Sequence, residues 1–316
     1  MSASPSAAQF PRESDSSGAF VRQESRFRDW VTADGSSGFP AAPGRYHLYV
    51  SLACPWASRT LIWRQLKGLQ DAIGVTVVDP LRDERGWRFT DEEPDPVNGF
   101  RFLSEAYERS APGFDGRVTV PVLWDKETGR IVNNESAEIV RMLNSAWDEW
   151  GDAGVDLYPD ALRDEIDAIN ERVYATVNNG VYRAGFATTQ GAYEHAFDAL
   201  FATLDWLDER LATRRYLLGE QITEADWRLF VTLVRFDAVY VGHFKCNLRR
   251  IDDYAHLSGY LRDLYQQPGI AATVDFDQIK RHYYMTHPQL NPTRIVPKGP
   301  QLDLDRPHGR DRIQRP

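Results

Sequence analysis

Between Tyr46 and Pro80 the chain reads strand, helix, strand, and that order constrains what the rest can build. Tyr46–Val50 is a short β-prone run, after which Cys54 and Pro55 open a helix that reaches about Gly68. Proline at the first helical position and glycine just past the last are the expected punctuation. Residues 73–80, IGVTVVDP, are dense in β-branched side chains and supply a second strand. Two strands joined through a helix pair in parallel. Further on, VTVPVLWDKETGRIV carries two apolar runs around residues 125–130, a β-hairpin whose turn requires Gly129. Another helix starts at residues 133–136 and runs to about Asn144.

The first half is therefore βαβ followed by ββα, which fits a small mixed sheet of the thioredoxin type. The remainder is helical. Tyr193, Phe197, Leu200, Phe201, Leu204, Leu207 and Leu211 share one face of a helix. ITEADWRLFVTLVRFDAVY opens with a capping box, Thr223 and Asp226, and a staple of Ile222 on Trp227, then continues as a helix apolar enough to sit at a bundle centre. The fold class predicted is α/β plus all-α, divided into an extended segment over residues 1–40, a thioredoxin-like domain over 41–150, an all-helical domain over 151–284 and a proline-rich tail over 285–316. The tail is expected to be extended, because prolines recur from Pro288 to Pro316. Phe20, Phe27, Trp30 and Phe39 would anchor the first segment on a core made elsewhere. Residues 81–116, charged and rich in turn formers, read as an insertion over the surface.

Composition narrows the function. With 316 residues there is length for two domains at roughly 100 to 200 residues each. A formal net charge of -9 argues against nucleic acid as a main partner. There is no run of apolar residues long enough to cross a membrane and no signal-peptide pattern at the start, so the expected setting is cytoplasmic. Two distant cysteines, Cys54 and Cys246, make neither a disulfide framework nor a zinc spacing, and no pair of histidines has metal-ligand spacing.

Cys54 is the informative residue. In Ser51-Leu52-Ala53-Cys54-Pro55-Trp56-Ala57-Ser58-Arg59 it stands between a strand and a helix. There its sulfur faces unpaired backbone N–H groups and the positive end of the helix dipole, both of which favour thiolate. Most lone cysteines are small buried hydrophobes, and the strand, proline and βαβ frame are what set this one apart. A dithiol oxidoreductase would carry a second cysteine where this chain has Ala57. The chemistry is then monothiol: attack leaves a mixed disulfide on Cys54 that an external thiol must resolve. Cys246, in HFKCNLRR, lacks such a frame and reads as structural.

Pro121 interrupts an apparent strand, which marks a sheet edge or a cis bond. In a thioredoxin-type sheet a cis-proline lies beside the helix-start residue, and Val120 would offer its backbone to a peptide-like thiol. Asn134-Glu135-Ser136 precedes a helix. Its N–H groups and the Ser136 hydroxyl suit a carboxylate, and Glu135 suits an ammonium group. A γ-glutamyl head bears both charges; simple helix capping explains the same two residues equally well.

CPWA, GWRF, RVTVPVLWD, NNESAEI, NNGVYRAGFA, VGHFKCNLRRI and IKRHYYMTHPQLNPTRIVP together resemble the glutathionyl-hydroquinone reductases, the Xi class of glutathione transferases, from about Phe27 to Pro297. The resemblance implies a glutathione-transferase architecture, a homodimer, and reduction of glutathionyl-hydroquinones to hydroquinones with glutathione as cosubstrate. It implies that Cys54 is the nucleophile, that Trp87, Arg117, Val120, Glu135 and Ser136 hold glutathione, and that Tyr182 and Tyr283 face the aromatic acceptor. Tyr284 competes with its neighbour for that place. Asn178-Asn179-Gly180 reads as a helix break that would expose Tyr182 at a cleft. Another carrier thiol, such as mycothiol, would suit the same fold with altered contacts at Glu135 and Ser136. Two rival functions remain: an Omega-like thiol transferase acting on disulfides, and a non-catalytic module of the same fold.

Overall fold

A computed structural model describes residues 13–313. The described residues form two compact units: one from residues 23–155 and 277–282, the other from 13–22, 156–276 and 283–313.

In the first unit β1 (Tyr46–Val50), α1 (Pro55–Leu66), β2 (Gly74–Val77), α2 (Ser104–Ser110), β3 (Val122–Asp125), β4 (Arg130–Asn133) and α3 (Ser136–Ser145) follow one another. The sheet has the order β2-β1-β3-β4, with β1 and β2 parallel and the other pairs antiparallel. Every residue of β1 is buried, as a central strand covered on both faces requires. The hairpin turns at Gly129, whose φ of +64° suits glycine. Asp125 holds that turn: its carboxylate accepts from Arg45 at 2.6 and 2.8 Å and from the Thr128 hydroxyl at 2.8 Å.

Register decides where the chemistry can sit. Tyr49 pairs with Val122, and Leu123 with Asn133, so the end of β1, the start of β3 and the end of β4 share one edge of the sheet. That edge carries the starts of α1 and α3.

The stretch expected to be a surface insertion contains α2 and buries Trp87, Phe89, Leu103 and Tyr107. Its charges hid a short apolar face, Leu103, Ala106 and Tyr107, that falls on one side only once the segment is helical. Tyr107 ties the sheet edge together. Its hydroxyl donates to the Thr119 carbonyl at 2.8 Å and accepts from the Asn134 side chain at 3.1 Å.

The second unit is helical: α4 (Arg163–Val173), α5 (Gly180–Gly185), α6 (Gln190–Leu211), α7 (Glu224–Arg235), the short α8 (Val241–His243), α9 (Leu257–Tyr265) and α10 (Phe276–Thr286). Residues 277–282 of α10 group with the first unit. Within α6, Leu200, Phe201, Leu204, Leu207 and Leu211 are buried, as their spacing predicts. All of α7 is buried, and Asp226 caps it by accepting from the Thr223 N–H at 2.8 Å. No break occurs at Asn178-Asn179-Gly180; residues 174–178 form a π turn that runs on into α5, and a second π turn at 236–240 precedes α8. Such turns insert a residue while keeping the chain helical, which asparagine and glycine in the sequence disguise. The tail also departs from a purely extended path, closing a 3₁₀ turn at Arg310–Arg312. Arg310 is buried and donates to the carbonyls of Leu211 at 3.0 Å and Arg215 at 2.9 Å, partners that offset the proline-imposed extension. Among the described residues no helix is long and apolar enough to cross a membrane.

Candidate active site

Cys54 occupies the N-cap of α1, with extended backbone (φ −82°, ψ 120°) and Pro55 behind it. Its side chain makes no capping bond, and the first turn of α1 holds no acidic residue. The half-buried sulfur therefore lies at the positive end of the helix dipole with no carboxylate in that turn to offset it. The turn behind it is pinned by Ser51, whose carbonyl accepts from the Cys54 N–H at 3.1 Å and whose hydroxyl accepts from Ala53 at 3.3 Å. Ala57, at the place of a second cysteine, is fully buried.

The bond between Val120 and Pro121 is cis, and the Val120 carbonyl lies 3.6 Å from the Cys54 sulfur. Next along the same edge, Glu135 is the N-cap of α3: one carboxylate oxygen accepts from the Ala137 N–H at 3.1 Å, the other from the Ser25 hydroxyl at 3.0 Å. Ser136 is buried, and its hydroxyl accepts from Arg59 at 3.4 Å. Sequence reasoning quoted Arg59 without giving it a role. It is a fully buried cation on α1, with its guanidinium 4.7 Å from the Trp56 ring centre, which links the start of α3 to the helix that Cys54 begins. Nothing in its type or spacing signalled this role, because only tertiary packing buries it.

Arg117 is half-buried, three residues before Val120. Trp87 is buried rather than open. His282 stacks on it with ring centres 5.0 Å apart, Arg82 lies 5.2 Å from its ring centre, and the His282 ring nitrogen Nδ1 lies 2.7 Å from the Pro80 carbonyl.

The second unit assembles three tyrosines. Tyr182 and Tyr283 place their hydroxyl oxygens 2.5 Å apart, and Tyr240 reaches Tyr283 at 3.0 Å. Tyr182 is buried, not exposed, because the π turn before α5 keeps it on the inner face. Gly185 assists: a Cβ there would lie 2.2 Å from the Phe244 ring, which packs 5.4 Å from Tyr182. Burial pushes the Tyr240 and Tyr283 phenols well above their ordinary range, so both stay protonated donors. Of the adjacent pair, Tyr283 enters the cluster. Tyr284 turns to His243, with ring centres 4.8 Å apart, and its hydroxyl lies against Gly242. Tyr240 was missed in the sequence, where it closes an apolar run and looks like core.

Cys246 is fully buried, and burial drives its thiol upward, away from the thiolate. His243 hydrogen-bonds His287 at 3.1 Å.

Residues 53–146 match the model for the glutathione S-transferase N-terminal domain, and residues 190–263 that for its C-terminal domain. Among individual proteins, glutathionyl-hydroquinone reductase YqjG of Escherichia coli is 55% identical over 93% of this chain and 93% of its own length. Its glutathione-bound structure aligns with a TM-score of 0.89, covering 91% of this chain and 96% of that one. Glutathionyl-hydroquinone reductase PcpF of Sphingobium chlorophenolicum is 55% identical, with 92% of each chain covered. A Xi-class transferase from Natrialba magadii aligns at TM-score 0.89 with 54% identity, covering 90% of this chain and 88% of that one. The chain belongs to the glutathionyl-hydroquinone reductase family, the Xi class of the glutathione transferases.

Proposed function

We propose that this protein reduces glutathionyl-hydroquinones to hydroquinones with glutathione as cosubstrate. The observation that carries the reading is the placement of Cys54 at the uncompensated N-terminus of α1, beside the Val120 carbonyl and with Ala57 where a resolving thiol would stand. The relatives named glutathionyl-hydroquinone reductases support the substrate class.

In the first step the conjugate tautomerises, so that the carbon bearing sulfur gains a proton and the neighbouring ring oxygen becomes a carbonyl. The Cys54 thiolate attacks the glutathione sulfur. An S–S bond forms, the S–C bond breaks, and its electron pair passes into the ring as an enolate, which takes a proton to give the hydroquinone. Phenolic donors stabilise the charge gathering on that oxygen, and Tyr182 and Tyr283 are assigned this role. A second glutathione thiolate then attacks the mixed disulfide, releasing glutathione disulfide and restoring Cys54. One conjugate and one glutathione become one hydroquinone and one glutathione disulfide, in ping-pong order.

Val120 offers backbone hydrogen bonds to the tripeptide, Glu135 its ammonium partner and Ser136 with the start of α3 a carboxylate site. Arg117 adds a cation and Trp87 an aromatic wall. Assembly as a homodimer in a reducing cytoplasm completes the proposal; the two unpaired cysteines suit that compartment.

Incubation with a glutathionyl-hydroquinone and glutathione should release hydroquinone and glutathione disulfide in equal amounts. With the conjugate alone, mass spectrometry should find one glutathione on Cys54. Failure to release hydroquinone from several ring types, with glutathionyl disulfides still reduced, would replace this function by the thiol-transferase one; failure on both leaves a non-catalytic module.

A further inference from the structure

The helical unit includes residues 13–22, and the packing of this stretch is closely specified. Gly18 has φ +84°, and a Cβ there would meet side-chain atoms of Thr188 and Thr189 at 2.7 Å, so glycine is what permits the approach. The Thr188 N–H donates to the Gly18 carbonyl at 3.0 Å, and the Thr189 hydroxyl to the Ser17 carbonyl at 2.8 Å. Phe20 then packs on Phe186 with ring centres 5.5 Å apart. Two residues later Arg22 arrives at Tyr182. Its Nε–H donates to the Asn179 side-chain oxygen at 2.8 Å, and its guanidinium carbon lies 4.8 Å from the centre of the Tyr182 ring. Asn179 immediately precedes α5 and Tyr182 sits one turn further on, so the bond to one holds the cation over the other.

A cation over a phenol face is attracted to the ring electrons. The attraction strengthens when the hydroxyl gives up part of its proton, because electron density on the ring then rises. We propose that Arg22 is a positioning residue that makes the Tyr182 hydroxyl a stronger donor toward the oxygen that gains charge as the C–S bond breaks. This rests on the function proposed above. Arg22 acts through Tyr182, and its effect is confined to substrates whose leaving group needs a phenolic donor. A mixed disulfide of glutathione with 2-mercaptoethanol expels a thiolate and needs none.

The test compares the wild-type protein with Arg22→Met and Arg22→Lys on both substrates. Arg22→Met should lower kcat for hydroquinone release about tenfold, leave the KM for glutathione unchanged, and keep disulfide reduction within about twofold of wild type. Arg22→Lys, which retains the charge, should recover part of the loss. Equal losses on both substrates would mean that Arg22 only supports the fold, and unchanged hydroquinone release would mean that it does nothing; either overturns the proposal. Should Arg22→Met not fold, Arg22→Gln takes its place with the same two outcomes. A wild-type protein that reduces the disulfide yet releases no hydroquinone overturns the underlying function, and the role of Arg22 with it.

Discussion

The protein has two cysteines in opposite surroundings. Cys54 stands half-buried at the start of α1, facing a carbonyl and an uncompensated helix end. Cys246 is wholly enclosed, with its sulfur 3.8 Å from the Phe244 carbonyl. Three residues earlier, His243 shares this burial. Because burial disfavours whichever form is charged, the same cause moves the two groups in opposite directions: the Cys246 thiol goes up and the His243 imidazole falls to about 4. The contrast teaches that backbone position and enclosure give two cysteines different chemistry: one sulfur lies half-buried at the positive end of a helix, while enclosure holds the other as a neutral thiol.

The widest expected gap is in catalysis. Cys54→Ser should abolish hydroquinone release, a loss on the order of a thousandfold or more, whereas Cys246→Ala should keep kcat within about twofold. Comparable losses in the two variants would break the contrast. Alkylation sharpens it without substrate: iodoacetamide should modify Cys54 in the native protein and reach Cys246 only after denaturation, as peptide mapping would reveal. Removing one phenolic donor is a smaller change. Tyr283→Phe should lower the single-turnover rate about a hundredfold while leaving thiol exchange at Cys54 intact, and an equal loss of both would remove the tyrosine from its assigned role.

Acid probes the enclosed side. His243 has its folded value depressed to about 4, below the unfolded 6.5, so the unfolded chain binds more protons throughout that window. Its contribution to stability is therefore present above 6.5 and is lost as the pH falls toward 4. His287 accepts or donates at 3.1 Å, and the nearby Lys245 charge adds to the depression. Urea titrations at about pH 7 and pH 4.5 should differ less for His243→Gln than for wild type, by about 2 kcal/mol; parallel losses would show that other groups control the acid response. Smallest of all, Cys246→Ala should lower stability by about 1 kcal/mol, the cost of a small cavity.

Much of the site near Cys54 was legible because it depends on local signals. Proline after a cysteine, a strand before it and the hairpin glycine are short-range features whose backbone consequences hold in many folds. Pro121 in an apparent strand left two explanations, a sheet edge or a cis bond, and the bond after Val120 is cis. By contrast, α2 was hidden by its charges, although Tyr107 on it binds both Thr119 and Asn134 and so holds the sheet edge in shape. Tyr240 and Arg59 were hidden differently. Their types and spacings are those of ordinary core and surface residues, and only long-range packing brings a hydroxyl to Tyr283 or buries a guanidinium beside Ser136.

The amino-acid sequence by itself determined the order of strands and helices, the single thiol at a helix start and the absence of a second cysteine one turn on. Those follow from propensity, capping and composition, which act over a few residues. The tertiary structure decided that Tyr283 and not Tyr284 joins Tyr182, that Trp87 is covered by His282, and that Arg22 lies over a tyrosine far along the chain. The reason is physical: side-chain direction and burial are properties of packed surfaces, and two adjacent tyrosines on one helix are indistinguishable until their neighbours fill the space on either side.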